Sequence, residues 1–182
     1  MTQVTLYKPV VEETYEPMQL AERGIPTGGA RLALIDNGKA NAKKLLQLIA
    51  EELRSRVEIA DVEIVSKKSA GAPIDPDTAS AVAGRSDLVV TAIGDCGACS
   101  ACSLHDALQF ERMGVPATVV ISDPFVNHIA GLSAKLGMPG YPTVVVPHPV
   151  SSKDEAHLRK LAASVADTVA ANLTASAVAA AA

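Results

Sequence analysis

Leu88-Val-Val-Thr-Ala-Ile-Gly-Asp-Cys-Gly-Ala-Cys-Ser-Ala-Cys-Ser-Leu-His-Asp106 passes from an apolar run, through a cysteine cluster, into a helix-start pattern. The near-continuous apolarity of Leu88–Ile93 is that of a strand buried on both faces of a parallel sheet. Ser103-Leu-His-Asp106 reads as the start of a helix, which Gly114 and Pro116 stop. Strand, loop and helix in that order form the repeating unit of an α/β fold.

The same rhythm extends on both sides. Towards the N-terminus, Arg31–Asp36 is a short buried strand and Asn37-Gly38 a turn. Lys39 to Arg56 is a helix with Leu45, Leu48, Ile49 and Leu53 on one face. Val62–Val65 is the second strand, and Asp75-Pro76 opens a short helix that Gly84 closes. Beyond the cysteines, Ala117–Ile121 is the fourth strand and Asp123-Pro124 starts a helix ending at Gly137. Thr143–Val146 is the fifth strand. Ser152-Lys-Asp-Glu155 reads as a capping box for a last helix carrying Leu158, Leu161, Val165, Val169 and Leu173. The expectation is an α/β fold, a single doubly wound parallel five-stranded sheet of flavodoxin or Rossmann type with helices on both faces. Residues 1–30, broken by Pro9, Pro17, Pro26 and Gly28-Gly29, read as an arm packed over the domain. Residues 31–174 form the α/β domain, and 175–182 a disordered, Ala-rich tail.

A chain of 182 residues is long enough for one real core. With 48% hydrophobic residues but only 3% aromatic, that core must be built from Val, Ile, Leu and Ala. A net charge of -4 without a Lys/Arg cluster argues against a nucleic-acid partner. No apolar run reaches the roughly 18 residues of a membrane span. Met1-Thr-Gln-Val-Thr-Leu-Tyr-Lys8 lacks the basic-then-apolar layout of a signal peptide, and clustered free thiols fit a reducing cytoplasm.

Right-handed crossovers place every strand-to-helix loop on one edge of such a sheet, where ligands bind. The loops there are Asn37-Gly38-Lys39, Ser66-Lys67-Lys68, Gly94–Cys102, Ser122-Asp123-Pro124 and Pro147-His148-Pro149. Lys39, Cys96, Asp123 and His148 are therefore expected to line one pocket. Cys96, Cys99 and Cys102 are the only cysteines, all within seven residues. A helix N-terminus favours a thiolate, so C-x-x-C at this place reads as a thiol nucleophile or redox pair. Inert packing is the plain alternative. An iron–sulfur cluster would need a fourth ligand from His105, His148 or outside, and a zinc site would use three Cys and one His. His105 reads as a proton carrier facing the thiols or as a surface histidine. Asp106 reads as the cap partner of Ser103, and Asp95 as a turn former or a carboxylate tuning the first thiol. His148 is held stiffly between prolines, and Asn37-Gly38-Lys39 offers an anion-binding helix start. His128 reads as structural and His157 as solvent-facing.

Gly94–Asp106, with Ile35-Asp-Asn-Gly-Lys39 and Pro147-His-Pro149, resembles the family named for a U-G-S-C motif, where U is selenocysteine or a cysteine in its place. The resemblance runs over most of residues 30–175. It implies that Cys96 holds the selenocysteine position and Cys99 that of the partner thiol. This chain departs in having Cys for selenocysteine and Ala98 for Ser. The motif is also similar to that of the selenoprotein subunit of glycine reductase, where a selenolate attacks a substrate carbon and expels a leaving group.

The resulting expectation is a cytoplasmic, cysteine-dependent oxidoreductase, reductase or lyase acting on a small organic molecule. Cys96 is its nucleophile, Cys99 the resolving thiol, Cys102 a possible second resolver and His105 the acid/base. Asn37, Lys39, Asp95, Ser122, Asp123 and His148 surround the substrate. No cofactor is expected, with iron–sulfur or zinc as the alternative. The rival is a non-enzymatic or accessory subunit carrying a metal, cluster or substrate group for a partner protein. A one-lobe relative of cofactor-independent racemases would need a second Cys from a homo-oligomer.

Overall fold

The computed structural model describes residues 16–174. The Ala-rich tail and residues 1–15 of the arm lie outside them. Along the chain come β1 (Ala30–Asp36), α1 (Ala42–Leu53), β2 (Ile59–Ser66), α2 (Pro76–Ala83), β3 (Leu88–Gly94) and α3 (Gly97–Arg112). Then follow β4 (Ala117–Ser122), a 3-10 turn (Asp123–Phe125), α4 (Val126–Lys135), β5 (Thr143–Val146) and α5 (Glu155–Thr174). The strands form one sheet in the order β2-β1-β3-β4-β5, and every neighbouring pair is parallel. The doubly wound α/β fold expected from the rhythm of apolar runs is the one observed.

Alternation along the strands sends side chains to two separate cores. Leu32, Leu34 and Val90 pack with Leu45, Ile49, Leu158 and Val169 under α1 and α5. Ala33, Ile35, Val89 and Val119 pack with Leu104, Leu108, Phe110 and Ile129 under α3 and α4. Each fully buried Leu, Ile or Phe contributes roughly 1.5–3 kcal/mol, so these faces, more than helix propensity, hold the helices in place. The arm meets the second face at Met18, whose N–H donates to Gly137 O at 2.8 Å, and at Leu20, which packs against the core. No helix among the described residues is long and apolar enough to cross a membrane.

Three helix starts differ from expectation. α1 begins at Ala42, not Lys39, because Asn41 takes a left-handed conformation (φ 68°) just before it, so Asn37-Gly38-Lys39 is a loop ahead of the helix and not its start. α3 begins at Gly97, six residues before Ser103, because the Cys96 sulfur accepts the Cys99 N–H and caps the helix there. The cysteines therefore occupy the cap and first two turns of a helix, not a loop ahead of it. The cap of α5 is Asp154, which accepts the His157 N–H at 2.8 Å, in place of Ser152. A carboxylate one residue before the helix reaches its free N–H groups, so the more distant Ser152 has no capping role.

Candidate functional site

β1 pairs with both β2 and β3, so the chain winds in opposite directions from the β1/β3 boundary. Loops leaving the carboxyl ends of those two strands diverge and leave a crevice, the usual ligand position of a doubly wound sheet. Lys39 follows β1 and Cys96 follows β3, one on each side of that boundary.

The approach to Cys96 is tight. A Cβ on Gly94 would stand 2.6 Å from Ser100 Oγ and 2.7 Å from Ile121 Cγ2, so only glycine lets the first turn of α3 sit against the end of β4. After β1, Asp36 accepts the Gly38 N–H and the Ser66 hydroxyl. Asn37 is 1% exposed. Its amide donates to Ile93 O and Ser103 Oγ, and its carbonyl accepts Lys39 N–H, which clamps the β1 loop to α3. Its amide group is thus bonded within the protein.

The thiols are unequal. Cys96 and Cys99 sulfurs are 2.7 Å apart, and Lys39 Nζ lies 3.5 Å from Cys99 Sγ. Partial burial pushes the Cys96 thiol up. Hydrogen bonds from the Cys99 thiol and amide, with the Lys39 ammonium close by, outweigh that and bring it below the ordinary range. Burial pushes Cys99 up, and its bond to Cys96 adds to the rise. Burial also raises Cys102. For Lys39, burial works against the charge, but the two thiols and Asp95 hold its pKa above the usual value.

On the other side of Cys96, Asp95 turns towards the β5–α5 loop. Its carboxylate accepts Val150 N–H, Ser151 N–H and the Ser151 hydroxyl, and stands 2.9 Å from His148 Nδ1. Burial opposes its charge, yet the Ser151 and Val150 donors lower its pKa to about 2. Ser122 Oγ is 3.1 Å from His148 Nδ1, His148 N–H donates to Asp123 Oδ1, and Phe125 meets the imidazole edge-on.

The structure therefore gathers Lys39, Cys96 and Cys99, and beside them Asp95, Ser122, Asp123 and His148. Cys102 and His105 stand apart from these. The early start of α3 places His105 nine residues beyond Cys96, about 13 Å along the axis. Its Nδ1 is buried without a hydrogen-bond partner, and burial lowers its pKa. Asp106 is not a cap partner of Ser103. It is 0% exposed, pairs with Lys67 and accepts Ile74 N–H at 2.7 Å. The Lys67–Asp106 pair was legible only as an oddity, a charged residue one helical turn before Phe110. The role of Ser151 carried no sequence signal at all. A cleft of about 570 Å³ lies at the end of β2, lined by Ser66, Lys67, Ser69, Ile74 and Thr78. His128 is exposed on α4, and His157 is half-buried with Nε2 enclosed and unpartnered. Among the described residues, no three His, Cys, Asp or Glu side chains group as metal ligands.

Two of the solved structures similar to the chain are, by their descriptions, a flavoprotein and a flavodoxin-like domain. One is a diflavin flavoprotein A3 from Nostoc sp., 18% identical, covering 84% of this chain and 96% of that one, with a TM-score of 0.40. The other is the flavodoxin-like domain of a Synechococcus sp. protein, 13% identical, covering 77% and 90%, with a TM-score of 0.43. No curated protein matches. The model of the UGSC family matches residues 5–175, nearly the whole length with the cysteine helix at its centre, and the chain belongs to the UGSC family.

Proposed function

We propose that this chain is a thiol-dependent enzyme in which Cys96 attacks a small organic substrate. The observation that carries the reading is the position of the Cys96 sulfur at the α3 cap, where it receives the Cys99 N–H and lies against the Cys99 thiol. The Cys99 donors and the Lys39 charge stabilise the Cys96 thiolate, while at Cys99 burial outweighs the Asp95 N–H and Lys39, and at Cys102 burial dominates, so both stay protonated near neutrality. The Cys96 thiolate forms a bond to an electrophilic carbon or sulfur, and the leaving group departs with the bonding pair. Where the product is reduced, Cys99 displaces it from Cys96. A disulfide then forms, the released group takes a proton, and an external dithiol restores both thiols. Lys39, beside the pair, favours an anionic group on the substrate.

Alkylation of each cysteine followed against pH tests this. Cys96 is expected to react with iodoacetamide at a lower midpoint than a free thiol, ahead of Cys99 and Cys102. A Cys96 no faster near pH 7 than a model thiol overturns the reading. A mass-trapped adduct on Cys96 after incubation with cell extract then names the substrate.

A further inference from the structure

We infer that His148 is the proton carrier of this site, with Asp95 and Ser122 as the residues that position it. The role rests on the thiol reading of Cys96. His148 Nδ1 faces two groups, Asp95 Oδ1 at 2.9 Å and Ser122 Oγ at 3.1 Å. A carboxylate can only accept. The Ser122 hydroxyl has one proton, which goes to Gly94 O, leaving a lone pair towards the ring. Nδ1 between two acceptors must carry the hydrogen, which leaves Nε2 as the nitrogen free to take up and release a proton.

The support around this ring is rigid. The Asp95 side chain is 1% exposed and tied to Val150 and Ser151, and Ser122 is 0% exposed. The His148 side chain is 37% exposed, so the imidazole reaches the open edge of the sheet while its inner nitrogen is anchored. Asp95 adjoins Cys96 in the chain, so the carboxylate that orients the imidazole is placed by the same residues that place the thiol. His105 has none of this: its Nδ1 has no partner, and it stands nine residues along α3.

The step assigned to His148 is donation from Nε2 to the atom that Cys96 displaces. With an epoxide as probe, the Cys96 sulfur bonds to a ring carbon. The carbon–oxygen bond breaks with both electrons on oxygen, and that oxygen takes the Nε2 proton, leaving a neutral imidazole. No electrons are exchanged with any third group.

Glycidol and iodoacetamide separate this role from the reactivity of the thiol, since oxygen needs a proton as it leaves and iodide does not. His148→Gln is expected to slow glycidol alkylation of Cys96 by about a hundredfold and leave its iodoacetamide rate unchanged. Imidazole is expected to restore the glycidol rate of His148→Gly. Nitrogen NMR is expected to find the neutral ring protonated at Nδ1 in the wild type. A proton on Nε2 there, a glycidol rate indifferent to His148→Gln, or equal slowing with both reagents overturns the inference while leaving Cys96 a nucleophile. A wild-type Cys96 inert to iodoacetamide overturns the thiol reading and the proton-carrier role together.

Discussion

The last turn of α3 and its first turn are built on opposite terms. At the last turn, Glu111 is fully enclosed, and Arg23 closes on both of its oxygens. The Ala21 and Ala117 N–H groups add two more donors. Every lone pair that points inward has a partner, so the charge serves only to bind the arm and β4 to the helix. At the first turn, three thiols share fewer donors: Cys96 receives the Cys99 N–H, and Cys99 the Asp95 N–H and the Lys39 ammonium. A buried ion saturated with partners is architecture. A half-exposed sulfur that receives donors and keeps an open side is positioned for reaction.

The largest expected effect lies at the saturated end. Arg23→Met leaves the Glu111 carboxylate buried with only two amide donors and is expected to cost about 3–5 kcal/mol of stability. Chemical denaturation reads that loss, and the alkylation rate of Cys96 in the folded variant should be unchanged. Cys96→Ser should give the reverse pattern, because serine caps a helix well: stability within about 1 kcal/mol of wild type and no fast-alkylating group. If Arg23→Met instead slows Cys96, the two ends of α3 are coupled and the contrast fails.

Asp95 sits between these extremes, saturated with donors yet adjoining the thiol. Its folded carboxyl titrates at about 2 against an ordinary 3.8. A depressed carboxyl stabilises the fold fully above its unfolded pKa and loses that contribution as pH falls through the folded one. Asp95→Asn should therefore cost about 2 kcal/mol at neutral pH, with the difference from wild type shrinking between about pH 4 and pH 2. Denaturant midpoints measured across that range check the sign. A penalty that persists at pH 2 means that Asp95 acts through packing.

The smallest effect is expected at Lys39. Its ammonium is partly exposed and reaches Cys96 mainly through charge, so Lys39→Met should slow Cys96 alkylation near pH 7 by about two- to fivefold. That is the scale of a half-exposed pair, ~0.5–1 kcal/mol. The measurement is the same alkylation assay, and a loss that disappears in high salt confirms its electrostatic origin. A hundredfold loss would make Lys39 part of the chemistry.

Much of this architecture is legible in the chain because it is local. Five largely apolar runs of four to six residues, separated by amphipathic stretches, admit few arrangements other than a parallel sheet with helices on both faces. The carboxyl-edge loops follow from the handedness of the crossovers. The start of α3 is not legible in that way. Ser103 is a good cap by residue type, and nothing local says that a cysteine sulfur accepts the Cys99 N–H first. That displacement of six residues carried His105 away from Cys96 and turned Asp106 from a supposed cap into a buried partner of Lys67.

The sequence by itself determined the sheet, the edge on which chemistry can occur and the clustering of all three thiols, since periodicity and spacing act within a few residues. Only the tertiary structure decided which groups meet there. Asp95 and His148 are 53 positions apart, Lys39 and Cys99 60, and Lys67 and Asp106 39. Hydrogen bonds and charge act over a few ångströms, and those distances exist only once the strands stand in the order β2-β1-β3-β4-β5 in one sheet.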